Sequence, residues 1–126
     1  MRIYNTQVRR TNKTEVAGKV ADTGKRSVAV DFDGVCHDYK NPIEGKRMGK
    51  PIEGTKEALE SIRRKGYKII IFSVWGNQPK VIKDFMKYYD LPYDLITNIK
   101  PNSEFFIDDK AIRFLNWDQT LKDINI

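Results

Sequence analysis

The apolar run Val28-Ala29-Val30 ends in Asp31-Phe32-Asp33-Gly34, and a second run, Phe105-Phe106-Ile107, ends in Asp108-Asp109. A short apolar stretch closed by polar residues reads as a buried strand. Each run is therefore expected to be a strand with carboxylates at its tip. Carboxylates that converge at strand ends repel one another unless a cation lies between them. Hard oxygen donors of this kind suit Mg²⁺, which takes one or two carboxylates and keeps room for waters and phosphate. The spacing suggests a magnesium site built from two strand tips, with Asp31, Asp33, Asp108 and Asp109 as its acids.

Between these runs the chain alternates strand and helix. Val28–Phe32 reads as the first strand, and residues 34–54, with two Pro and four Gly, as a long irregular flap. Thr55 can cap a helix running to Lys65. Glu57 lies near its start and Arg63, Arg64 and Lys65 near its end, in the sense that the helix dipole favours. Gly66 stops it. Tyr67–Phe72 is a second strand, and Pro79 suits the first position of a second helix. Val81, Ile82, Phe85, Met86 and Tyr89 recur at helical spacing as core positions. Asp94–Thr97 and Glu104–Ile107 give two further strands, and Asn116–Ile124 a closing helix. Strands alternating with helices imply an α/β fold with a mainly parallel sheet of about four strands flanked by helices.

The 126 residues suit one domain, and 40% hydrophobic with 32% charged residues describes a soluble globular chain. No apolar stretch approaches the roughly 18 residues of a membrane span, so no membrane partner is expected. The N-terminal residues lack the apolar core of a signal peptide, and the single Cys36 cannot form an internal disulfide. A cytoplasmic setting is the expectation. The net charge of +6 is uneven: residues 1–27 hold seven Lys/Arg against Glu15 and Asp22, leaving +1 for the rest. That segment reads as a basic arm or small hairpin ahead of a domain over 28–126. It is either a solvated terminus or an electrostatic contact for nucleic acid.

In open α/β sheets ligands bind beyond the carboxyl ends of the strands. Asp31, Ser73 and Asp108 all fall at that edge, and Lys100 follows the third strand. A carboxylate nucleophile, a hydroxyl, a cation and an acid pair in one crevice suit phosphoryl transfer, in which charge must be positioned and neutralised.

The order of these elements resembles the haloacid dehalogenase-like (HAD) phosphohydrolases. Four features carry the resemblance: VAVDFDGV, the strand KIIIFS, Lys100, and the strand FFIDD. It covers roughly residues 28–115 and implies a Rossmann-like fold with strand order 4-1-2-3. It also implies an activity: Mg²⁺-dependent hydrolysis of a phosphate monoester through an aspartyl-phosphate. By resemblance Asp31 is the nucleophile. Asp33 is the general acid and base, its backbone carbonyl also a metal ligand. Ser73 binds a phosphoryl oxygen, Lys100 offsets charge, and Asp108 and Asp109 complete the metal site. Lys80 and Lys110 are rivals for the place of Lys100. Val74 and Trp75 follow the second strand as substrate-binding residues, with Gly76 and Asn77 shaping the mouth.

Val35 stands where the family usually has Thr, and a packing effect is expected. Asp33, typically absent from the dehalogenase branch, argues for phosphate-ester chemistry. Neither gap in which the family inserts a cap is long enough for a folded one, so a capless site is expected. It would be open to a phosphorylated small molecule or a nucleic-acid end. The competing class is a non-catalytic nucleic-acid or protein binding module on the same fold. Cys36 and His37 offer only two potential zinc ligands, which is poor zinc chemistry, and read as surface residues of the flap. Lys46, Arg47 and Lys50 read as a solvated face of the flap, or as a grip on an anionic substrate.

Overall fold

The computed structural model describes residues 26–46, 48–74 and 78–126. In chain order its elements are β1 (Ser27–Asp31), β2 (His37–Pro42), β3 (Gly49–Pro51), α1 (Thr55–Arg64), β4 (Lys68–Phe72), α2 (Pro79–Tyr88), β5 (Leu95–Thr97), β6 (Phe105–Ile107) and α3 (Trp117–Asp123). Four strands form a parallel sheet in the order β5-β4-β1-β6, a Rossmann-like α/β arrangement. Counted by the four expected strands, this is the 4-1-2-3 order. β1 and β4 are central, and their β-branched runs are buried on both faces, as a parallel sheet requires. Val28, Val30, Ile69, Ile71 and Ile96 pack with Leu59 of α1 and Ile82, Phe85 and Met86 of α2. Ala29, Ile70 and Leu95 are buried at the alternate positions. Full burial of each isoleucine contributes roughly 1.5–3 kcal/mol.

Local sequence explains most of the boundaries. Pro79 occupies the first turn of α2, and Gly66, at φ 92°, follows α1 in the left-handed conformation that ends helices. Asn116 caps α3, its Oδ1 accepting from Gln119 N–H at 2.9 Å. Thr55 does not cap α1. Gly54 takes the cap position, and the Thr55 hydroxyl instead donates to Ile52 O at 2.7 Å.

Three expectations need correction. The flap is not irregular: β2 and β3 pair antiparallel into a small second sheet. Gly49 permits the close approach, since a Cβ there would collide with the Asp38 carbonyl oxygen. β6 is not a buried strand, for Phe105, Phe106 and Ile107 are 56%, 43% and 40% exposed. It is an edge strand whose described partner is β1 alone. Cys36 and His37 are not surface residues: they are 0% and 1% exposed. After Gly34, at φ 86°, the chain folds back so that Cys36 N–H and His37 N–H both donate to Phe32 O, at 2.9 and 3.2 Å. That turn carries both side chains inward. The basic arm expected over residues 1–27 lies outside the described residues, apart from Arg26 and Ser27. Ser27 already belongs to β1.

Candidate active site

The strand register brings the acids together. Val30 pairs with Ile107 and Asp31 with Phe72, so Asp31 and Asp108 leave neighbouring strands at the same level. One carboxylate oxygen from each of Asp31, Asp108 and Asp109 lies within 4.8 Å of the others. They border a cavity of about 660 Å³ that is also lined by Asp33, Val74 and Lys110, and by Tyr39, Pro42 and Lys46 of the flap. Gly34 makes the approach possible, since a Cβ there would run into the Asp109 carboxylate.

The electrostatics of this edge call for positive charge. Partial burial pushes Asp31 up to about 6, the Asp108 carboxylate adds to the rise, and Asp109 and Asp33 contribute further. The Phe32 N–H, which donates to Asp31 Oδ1 at 3.0 Å, acts in the opposite direction. Lys110 partly answers the acids. A hydrogen bond to Tyr39 is the main cause that raises its pKa, and the charges of Asp109 and Asp108 act in the same sense. Its backbone N–H donates to Asp108 Oδ1 at 2.7 Å. Three carboxylates within reach of one ion, all hard donors on an open cavity, fit a divalent cation such as Mg²⁺. The Asp33 carboxylate is not one of the three.

Asp33 is held from beneath. His37 Nε2 lies 2.6 Å from Asp33 Oδ1, and Gly49 N–H donates to His37 Nδ1 at 3.2 Å. The imidazole sits 4.7 Å from the Phe32 ring and 5.8 Å from that of Phe85. Cys36 is part of the same core. Burial, with Asp31 and Asp33 nearby, pushes its thiol up to about 12, which makes it an inert core residue.

The other expected site residues are divided. Val74 lines the cavity. Ser73, one residue beyond β4, is buried, and its backbone N–H continues the ladder to Thr97 O at 3.0 Å. It does not line the cavity. Trp75, Gly76 and Asn77 lie outside the described residues, as does Arg47. Lys100 does not line the cavity either. It sits on the connection between the two edge strands, β5 and β6, with its ammonium 5.1 Å from the Phe106 ring centroid. Among the described residues the cations on the cavity are Lys110, one of the two rivals, and Lys46. Tyr39 and Pro42 escaped the sequence reading because a hairpin register, not a local pattern, carries them to the site. Lys50 borders a separate surface cavity with Asp38 and Glu53.

No family model and no curated protein matches the chain. Among solved structures it is similar to a conserved protein from Bacteroides thetaiotaomicron, at 20% identity and a TM-score of 0.56. The match covers 81% of this chain and 91% of that one, and at this identity it concerns the fold. Among the described residues no helix is long and apolar enough to cross a membrane.

Proposed function

We propose that this protein is a capless HAD-like phosphatase that hydrolyses a phosphate monoester through an aspartyl-phosphate. The observation that carries the reading is the convergence of Asp31, Asp108 and Asp109 at the tips of adjacent parallel strands, with Asp33 on the same cavity. An acid cluster alone is common on protein surfaces. Here it forms at the carboxyl edge of the sheet, where open α/β folds bind ligands.

In the first half-reaction an Asp31 carboxylate oxygen forms a bond to phosphorus as the bond to the ester oxygen breaks. Asp33 gives its proton to the departing oxygen. In the second, water attacks phosphorus, Asp33 takes the proton from that water, and the Asp31–phosphorus bond breaks to release inorganic phosphate. Asp31 must be ionised to attack. With its value near 6 it is mostly so at neutral pH, and a cation among the acids widens the margin. Asp31, Asp108, Asp109 and the Asp33 backbone carbonyl would hold Mg²⁺, which supplies charge neutralisation for the phosphoryl group. Lys46 and Lys110 face the same cavity and offset further charge. Val74, just beyond β4, lines the cavity, and it is the residue we assign to the phosphoryl oxygens, through its backbone N–H.

A panel of phosphate esters with Mg²⁺ tests the reading. It should include nucleotides, sugar phosphates, terminally phosphorylated oligonucleotides and p-nitrophenyl phosphate. Metal-dependent phosphate release that disappears in Asp31→Asn supports it. Turnover of no ester in the panel, or full activity in Asp31→Asn, overturns it.

A further inference from the structure

We propose that His37 is a positioning residue for Asp33. By donating from Nε2 to Oδ1 it fixes the carboxylate and leaves Oδ2 to carry the proton that departs with the leaving group. The inference rests on the phosphatase reading above.

The argument begins with Gly49. A backbone N–H can only donate, so Nδ1 of His37, 3.2 Å away, must accept and carries no proton there. In a neutral imidazole the proton is then on Nε2. Nε2 is 2.6 Å from Asp33 Oδ1, so that contact is a donation to the carboxylate. Both ring nitrogens are thus satisfied, which allows a histidine only 1% exposed to remain in the core. Phe32, tilted 44° to the ring, and Phe85, edge-on at 61°, pack against the imidazole. An Asp33 proton placed on Oδ1 would point at the Nε2 proton, so the acid form carries it on Oδ2. A carboxylate free to rotate would offer either oxygen, whereas this one is aimed. Aiming matters because displacement of a catalytic group by about 1 Å can cost on the order of 10²-fold in rate. His37 touches Asp33 from within the core and does not line the cavity, so it acts through Asp33.

Two amide substitutions separate this role from simple packing. In His37→Asn the shorter side chain can still accept from Gly49 but does not reach Asp33. In His37→Gln the amide reaches the position of Nε2 and can donate. The leaving group matters only in the first transfer, so the readout is the single-turnover rate of phosphoryl-enzyme formation. With an alkyl phosphate, whose leaving group needs a proton, His37→Asn should lower that rate by about 10- to 100-fold. With p-nitrophenyl phosphate, whose leaving group departs as an anion, the loss in that rate should be less than about threefold. His37→Gln should recover most of the loss. In an Asp33→Asn background His37→Asn should cost nothing more. Equal losses of first-transfer rate on the two esters, or a further loss in that background, would overturn the positioning role while leaving the phosphatase reading intact. A wild type that turns over neither ester defeats the phosphatase reading, and the positioning role with it. His37 is the only histidine in the chain, so nitrogen NMR gives a readout that needs neither turnover nor a foldable His37 variant. The expected signal is a neutral ring protonated on Nε2, with a low-field proton that moves upfield in Asp33→Ala. A proton on Nδ1, or a signal indifferent to Asp33→Ala, contradicts the proposal.

Discussion

Two strand tips carry nearly the same acidic signature, yet the fold treats them differently. β1 is central, and the chain beyond it, from Phe32 to His37, folds back into the core. Asp31 is half-buried there with its Oδ1 tied to Phe32 N–H, and Asp33 is tied to a buried histidine. β6 is an edge strand, and Asp108 and Asp109 beyond it are exposed. Asp108 accepts from the backbone N–H of Lys110. In the proposed reaction the difference would match a division of labour. A nucleophile and a proton donor must be aimed, and so sit where packing fixes them. Metal ligands need only be near one another and able to adjust to the ion.

Substitutions at the two tips should therefore fail in different ways. The largest effect is expected at Asp31. Asp31→Asn keeps shape but cannot attack phosphorus, so kcat should drop by on the order of 10⁴-fold or more, with the melting temperature held or raised. Next comes Asp33→Asn, which should form the phosphoryl-enzyme about 10²–10⁴-fold more slowly from alkyl phosphates, with a far smaller loss from p-nitrophenyl phosphate. At the β6 tip, Asp108→Ala should be read first in metal binding. Mg²⁺ at a hundredfold excess over Kd should stabilise the wild type by about 2.7 kcal/mol, and the variant should lose most of that gain. A melting curve of the wild type indifferent to millimolar Mg²⁺ would remove the proposed division at its base.

A smaller effect should appear with pH. The ordinary value of the Asp31 carboxyl is 3.8, and the folded chain without metal raises it to about 6. Between those values the folded state holds more protons at this site than the unfolded state does. The contribution of Asp31 to metal-free stability therefore falls as pH rises through that window. Mg²⁺ competes with the same proton, so the melting shift it produces should be larger at pH 7.5 than at pH 5. Equal shifts at both would place the ion away from Asp31. The smallest change is expected for Lys46→Ala, which should raise KM several-fold with little effect on kcat, because in the proposed reaction this cavity-lining flap lysine would meet the substrate without taking part in bond breaking.

The same two tips show how much of the fold and site could be read from sequence. β1 and β4 were legible because continuous apolar runs leave few alternatives, and Asp31 and Asp108 because acids closed two such runs. The edge position of β6 was not, since FFI looks as apolar as the central strands and exposure follows from strand order. The flap hairpin was hidden because HDYKNP has no alternating pattern. Its pairing follows from the turn at Gly34 and the close approach at Gly49. From sequence His37 reads as a surface residue, because a polar side chain is buried only where partners meet it. Those partners, Asp33 and Gly49, come from separate segments. Lys100 followed from resemblance, whereas Lys46 and Lys110 reach the cavity through tertiary placement.

The central claim is that Asp31 becomes phosphorylated during turnover. Acid quenching of the protein in mid-reaction with Mg²⁺ and its best ester, followed by peptide mass spectrometry, tests it most directly. The expected result is a phosphoryl group on the peptide containing Asp31, present in wild type, accumulating in Asp33→Asn with p-nitrophenyl phosphate, and absent in Asp31→Asn. Steady turnover with no phosphorylated peptide in either active form, or a phosphoryl group on another residue, would contradict the account.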